Sequence, residues 1–478
     1  MSERSSILDT VVDRTLGNLR SLRTAWRDIA AQARGAITGA PRPELSRDDA
    51  DRLRRQLRDC LSARGGVVTS RARAADLGRT YLALNSTGRE RFLTLLASEF
   101  DIDHAAVAAL GERLVRAEEN GERRKVERSL RQALEPPRIK LLTQFNGLPE
   151  GVKFLVDMRA ELLKLGAQDP VLAALESDLK TLLASWFDIG FLELTRITWE
   201  APAALLEKLI VYEAVHEIRS WTDLKNRLED DRRCFAYVHP RMPHEPLIFV
   251  EVALVNGMSN SVQSLLDEAA PVGDPGEADT AIFYSISNCQ RGLAGISFGD
   301  FLIKRVVDSL AAELPHLKTY ATLSPIPGFR AWLDKRIPEE GEGLLTAAER
   351  KAMQQLLPAE LAKEGVGELL SRPRWHAEEP VAQALKAPLL RLAARYLLTE
   401  KSPRGRALDP VAHFHLTNGA RMERLNWLAD LSPKGLQQSA GIMINYLYRL
   451  AEIESNHEAY SGEGQVAASS ALTRLGKT

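Results

Sequence analysis

The sequence predicts an α+β protein, with an all-helical part over residues 1–187 followed by a mixed α/β part over residues 188–478. Three observations predict it. The N-terminal stretch reads as helix after helix, rich in Leu, Ala, Arg and Glu and poor in β-branched runs. The composition shifts between Trp186 and Trp199, and from there strand-like runs alternate with helical patterns. Residues 279–329 then read as strand, glycine-bearing loop, helix and strand.

Taken in order, Thr87-Gly88-Arg89-Glu90 fits a capping box that leads into Phe92, Leu93, Leu95, Leu96 and Phe100 on one helix side. Asp103 starts another helix. ERRKVER at 122–128 interleaves acids with bases and reads as a solvated helix face. Pro136-Pro137 breaks the series, and helical patterning resumes over 151–183. In the second part, 202–216 reads as a helix, and 234–239 and 247–255 read as strands. Asn256-Gly257 marks a turn, 260–268 a short helix and 270–276 an exposed loop. Residues 280–287 read as a buried strand, then come a loop with Gly292, Gly295 and Gly299, a helix over 300–314 stopped by Pro315, and a strand over 319–324. Helices follow over 344–357 and 380–399. Residues 409–420 read as an extended segment running into a turn. Residues 435–454 read as a helix carrying Tyr446 and Tyr448, and the Ser-, Ala- and Gly-rich final stretch as loosely held. No internal repeat is visible.

Composition narrows the function classes. The chain has 478 residues, 45% hydrophobic and 27% charged, enough apolar material for one or two cores. Its net charge of -1 argues against nucleic-acid binding by bulk charge. Three scattered cysteines, Cys60, Cys234 and Cys289, form no CxxC pair, so neither a zinc cage nor a disulfide scaffold is expected. No apolar run approaches the ~20 residues that span a membrane. The Arg- and Ser-rich N-terminus lacks an apolar stretch and carries Glu3, Asp9, Asp13 and Asp28, unlike a signal or transit peptide. The C-terminus shows no peroxisomal tripeptide. A cytoplasmic protein is expected.

Three groups of residues could carry chemistry. The glycine loop fits neither a P-loop, since no GK[ST] follows, nor GxGxxG spacing. It is either an ordinary strand-to-helix connection or a diphosphate site at the N-terminus of the next helix, with Asp300 as N-cap. Ser324, before Pro325, is either a helix N-cap or a hydroxyl at the C-terminal end of a strand, where sites gather in α/β sheets. His413 and His415 share a face if the segment is a strand. They could be structural, could hold a metal, or could work as acid or base, since an unperturbed imidazole titrates near working pH. Nearby acids or thiols at ligand spacing are lacking, which argues against metal. His239 and His244, among prolines, read as loop residues. No GxSxG elbow is present.

The segments FYSIS (283–287), GDFLIKRVV (299–307), LSPIPGF (323–329), FHLTNGA (414–420) and NWLAD (426–430) resemble the malonyl-CoA decarboxylase family. The resemblance is close from about residue 185 to 450 and looser before it. It implies a helical N-terminal domain used in oligomerisation, and a C-terminal domain with the N-acetyltransferase-like fold. It implies conversion of malonyl-CoA to acetyl-CoA and carbon dioxide without metal or prosthetic group. Ser324 and His415 match the family's catalytic Ser and His, and Tyr448 a supporting tyrosine. Asn418 is a further candidate for a supporting hydrogen bond. Ala294, Gly295, Ile296, Ser297, Phe298, Gly299 and Asp300 match the CoA-contacting stretch. Ser297 stands where some relatives carry Glu. The implied partners are malonyl-CoA and acetyl-CoA, with neither nucleic acid nor membrane, in a homo-oligomer for which a tetramer is one option. The missing peroxisomal tail suggests a bacterial-type enzyme. On this reading His415 protonates a thioester enolate and Ser324 orients the malonyl group. The rivals are a CoA-dependent N-acyltransferase of the same fold and a non-catalytic acyl-CoA-binding scaffold.

Overall fold

Helix starts are written locally in the N-terminal part. In the structure, a computed structural model that describes residues 22, 25, 26, 41–62, 66–166, 169–296, 302–361 and 365–477, eight helices run among the described residues from Arg47–Leu61 to Pro170–Trp186. Ser46, Asn85, Asp103 and Asp169 cap four of them with side-chain oxygens on exposed N–H groups. One cap differs from expectation. The helix Ser86–Glu99 begins before Thr87, and Asn85 accepts from Gly88 N at 2.9 Å, so Thr87 lies inside the first turn. Its apolar side is the expected one, with Phe92, Leu93, Leu95 and Leu96 buried. Asn120–Ala133 buries only Val126, as a solvated face should.

Among the described residues, eight strands form one sheet. They are β1 (Glu193–Ile197), β2 (Arg232–His239), β3 (Met242–Val255), β4 (Thr280–Asn288), β5 (Thr319–Thr322), β6 (Ser324–Pro325), β7 (Arg421–Asn426) and β8 (Met443–Leu447). Their order is β1-β2-β3-β4-β5-β8-β6, with β7 also on β8. The first four are antiparallel neighbours, while β4 and β5 are parallel and joined by the crossover helix Leu302–Glu313. The β4–β5 ladder stops at Phe283 opposite Thr322. Beyond it β4 stays on β3, with Tyr284 the extra residue of a bulge, while the other chain passes to β8. The two parallel strands therefore part at their C-terminal ends. This is the mixed, N-acetyltransferase-like sheet that the resemblance implies.

The helical part and the sheet share one core. A single buried cluster runs from Trp26, Phe92, Leu155 and Leu179 to Phe283, Val307 and Tyr448. Smaller clusters cover the other side of the sheet, around Phe249 and around Ile282.

Four expectations are corrected. Residues 409–420 are not extended: Pro410–Thr417 is a helix, with Asp409 accepting from Val411 N and Ala412 N and Pro410 in its first turn. Residues 435–454 are not one helix. A short helix, Pro433–Ser439, stops at Ala440 and Gly441, both at positive φ, and β8 follows. Alternation of apolar and polar residues was masked there because both faces of β8 are buried. His239 and His244 lie in β2 and β3, and His239 Nε2 bonds Trp186 O at 3.1 Å. The C-terminal stretch is held, since Ser470–Lys477 is a helix that buries Leu472.

Candidate active site

Ser324 sits where β4 and β5 part. It pairs with Ile444 of β8, and the next helix begins only at Phe329 with Gly328 at its cap. Ser324 is therefore not an N-cap. Its Oγ donates to Thr322 Oγ1 at 2.8 Å and lies 3.0 Å from His415 Nε2. The hydroxyl and the imidazole, 91 residues apart in sequence, meet because the helix Pro410–Thr417 points its last turn at the end of β5.

That helix decides which histidine takes part. Residues two apart on a helix face nearly opposite ways. His415 turns inward, while His413 Nδ1 meets Tyr460 OH at 2.8 Å near the C-terminal helices. A shared His–His face does not exist. Among the described residues no three His, Cys, Asp or Glu side chains converge as metal ligands would.

On the far side of the ring, His415 Nδ1 lies 2.8 Å from Tyr448 OH. Burial pushes the Tyr448 phenol well above its ordinary value, so it keeps its proton. The network then assigns the protons: Tyr448 donates to Nδ1, Nε2–H donates to Ser324 Oγ, and Ser324 donates to Thr322. Tyr446 stacks on the imidazole at 4.4 Å between ring centroids and 25° between planes. His415 is 2% exposed. Burial lowers its pKa to about 3, so the ring is neutral at pH 7. The ordinary imidazole pKa that recommended it as an acid does not survive this burial.

Several residues behind these three escaped the sequence reading. Thr322 Oγ1 also accepts from Tyr446 N, and Asn445 Nδ2 donates to Thr322 O at 2.7 Å. Asn426 in turn donates to Asn445 Oδ1. Asp409 caps the histidine helix and also accepts from Gly328 N at 3.1 Å, which ties that helix to the segment after Ser324. One signal was available: Asp409-Pro410 is an N-cap followed by Pro at N1. Asn418 is the C-cap of the same helix and donates to Phe414 O at 2.9 Å. No hydrogen bond joins its side chain to Ser324 or His415, and its Oδ1 is buried without a partner among the described residues.

Of the loop residues, Ala294 and Gly295 face outward and Ile296 is packed in the core. Gly295 has φ +70°, a conformation suited to glycine. Gly292 serves packing: a methyl built on it would sit 1.8 Å from Val156 O of the helix Gly151–Leu165. Ser297, Phe298, Gly299 and Asp300 lie outside the described residues.

Residues 190–478 match the family model of the malonyl-CoA decarboxylase C-terminal domain, and residues 100–187 match that of the N-terminal domain. The chain is 38% identical over 457 residues to the mitochondrial malonyl-CoA decarboxylase of Rattus norvegicus, covering 92% of this chain and 89% of the relative. It is 39% identical over 413 residues to that of Anser anser anser, covering 83% and 82%. The crystal structure of malonyl-CoA decarboxylase from Rhodopseudomonas palustris superposes with a TM-score of 0.81 at 43% identity, over 89% of this chain and 99% of that one. That from Agrobacterium vitis gives 0.79 at 42%, with the same coverage.

Proposed function

Because the chain belongs to the malonyl-CoA decarboxylase family, a family of carboxy-lyases, we propose that it converts malonyl-CoA to acetyl-CoA and carbon dioxide at Ser324 and His415. The single observation that carries the site assignment is the buried 3.0 Å contact between Ser324 Oγ and His415 Nε2 at the parting of β4 and β5.

The chemistry follows from what decarboxylation needs. The bond between the malonyl carboxylate and the α-carbon breaks, and its electron pair flows towards the thioester carbonyl. Carbon dioxide leaves and a thioester enolate remains. Donors aimed at the developing oxyanion lower this barrier, one such donor supplying roughly 3–4 kcal/mol. Ser324 orients the malonyl group. With malonyl-CoA bound, His415 first takes up a solvent proton at Nδ1, where the Tyr448 hydroxyl then accepts; the imidazolium gives its Nε2 proton to the α-carbon and returns to a neutral ring, so one proton is taken up per turnover. The neutral resting imidazole suits this sequence. Negative charge arriving with the substrate beside the ring raises its proton affinity, so the ring is charged only when a malonyl group is bound. Tyr448 holds Nδ1 and steadies the ring through its phenol. Asn418 supports the turn that follows. CoA is held along the stretch from Ala294, Gly295 and Ile296 to Ser297, Phe298, Gly299 and Asp300, where an anion meets the start of the crossover helix. Remote binding energy from CoA then positions the malonyl end.

Residues 1–187 and 188–478 are assigned as oligomerisation and catalytic domains. Support for self-association comes from apolar residues left open in the helical part, with Val115 88% and Leu134 49% exposed. Light scattering reads the assembly directly; a monomer at micromolar concentration sinks this part. Three unpaired, buried cysteines agree with a reducing, cytoplasmic setting. No helix among the described residues is long and apolar enough to cross a membrane.

The deciding experiment is incubation of the pure protein with malonyl-CoA and no added cofactor. Acetyl-CoA and carbon dioxide should appear. CoA binding without turnover indicates a scaffold, and acyl transfer to an amine without carbon dioxide an acyltransferase. A His415→Ala variant with near wild-type kcat overturns the acid assignment.

A further inference from the structure

Among the described residues, the glycine loop is tied to the sheet only at its start, where Gln290 Nε2 donates to Pro246 O of β3 at 3.0 Å; beyond that it is fastened from the helical domain. Arg159, on the helix Gly151–Leu165, is 1% exposed in its side chain. Its Nη1 donates to Gly292 O at 2.6 Å and its Nη2 to Ala294 O at 2.9 Å. Glu176, on the helix Pro170–Trp186, accepts from Nε at 2.9 Å and from Nη2 at 2.7 Å, which fixes the plane of the guanidinium. Val156, one turn before Arg159 on the same helix face, is the residue whose carbonyl excludes a side chain at position 292. One turn of the helix thus meets the loop by direct backbone contact and by two charge-assisted hydrogen bonds.

The clamp orients the loop. With the Gly292 and Ala294 carbonyls turned to the interior, their negative ends point away from any ligand. Leu293, Ala294 and Ile296 close short turns with their N–H groups, and the Gly295 N–H has no partner among the described residues. On the open side, a methyl built on Gly295 would stand 3.5 Å from Lys180 Nζ, so a cation from the helical domain overhangs the loop. A loop with two carbonyls tied back by Arg159, one amide without a partner among the described residues and an ammonium beside it suits an anion.

We propose that Arg159 is a positioning residue for CoA: it holds the loop in the conformation that receives the diphosphate, which makes the helical domain a working part of the active site within one chain. The proposal rests on the decarboxylase reading of the loop. Arg159 touches neither Ser324 nor His415, so its effect is confined to the nucleotide end of the substrate.

The test compares malonyl-CoA with malonyl-pantetheine, which carries the reacting group but no diphosphate. Arg159→Met should raise KM for malonyl-CoA roughly tenfold or more while kcat/KM for malonyl-pantetheine is retained, and Arg159→Lys should recover part of the loss. An unchanged KM in folded Arg159→Met overturns the proposal, and so does an equal loss on both substrates. If Arg159→Met fails to fold, Glu176→Gln, which frees the guanidinium without removing it, is read by the same comparison. Absence of malonyl-CoA turnover in the wild-type protein sinks the decarboxylase reading instead. Calorimetric affinity for CoA then decides: weaker binding by the Arg159 variants supports the clamp, and unchanged binding overturns it.

Discussion

Tyr448, His415, Ser324 and Thr322 form one line of hydrogen bonds in which each group gives its proton to the next. Removing a member leaves a buried partner unmatched, at a cost set by that one group. Ser324→Ala should lower kcat by roughly 10²-fold or more and cost only about 1–3 kcal/mol, since His415 Nε2 loses its acceptor but no helix loses its cap. A large loss of stability with retained kcat would contradict this placement. The imidazole makes a pH prediction. His415 has a folded pKa of about 3 against an ordinary 6.5. As pH falls below 6.5 the unfolded chain takes up a proton that the native ring refuses. Stability contributed by keeping this ring neutral is present above pH 6.5 and is lost towards pH 3, at about 1.4 kcal/mol per pH unit. In urea titrations between pH 6 and 4, His415→Gln should lose stability less steeply than wild type. Parallel pH dependences would mean that the ring is not held neutral.

At the scale of elements, the histidine helix is the part most dependent on its cap. Asp409 is 1% exposed and accepts from Val411 N, Ala412 N, Gly328 N and, at 3.4 Å, Tyr396 OH. Asp409→Ala should cost about 2 kcal/mol in denaturant unfolding, and lower kcat with little change in KM, since it loosens His415 against Ser324. A stability loss without any change in kcat would show the two elements to be held otherwise. This helix and β8 were also the places where local sequence misled. Phe414-His415-Leu416 alternates as a strand would, yet Asp409-Pro410 starts a helix, and the cap outweighs the period over so short a run. Over 435–454, Leu, Ile and Tyr suit a helix or a doubly buried strand alike. Gly441 at φ +76° is what ends the one and starts the other.

Across the whole molecule, the helical domain and the sheet meet at a seam with no room for a side chain. Gly292→Ala places its methyl 1.8 Å from Val156 O, a backbone atom that cannot swing aside. It should cost about 1–3 kcal/mol, read as a lower melting temperature together with a higher KM for malonyl-CoA. A neutral substitution would show that the seam yields. The sequence by itself determined the order of parts, since helix caps, apolar periods and buried β-branched runs are local properties that need no partner. It also marked Ser324 and His415 as residues to watch, through motifs in the chain, and Tyr448 through the family resemblance. Only the tertiary structure decided that Ser324 lies on a strand and not at a helix cap, that His415 and not His413 faces it, and that burial holds the ring neutral. It alone joined Arg159 to the glycine loop. Those outcomes depend on pairs 91 and more than 130 residues apart, and no local pattern records which distant side chain will fill the space beside a given backbone carbonyl.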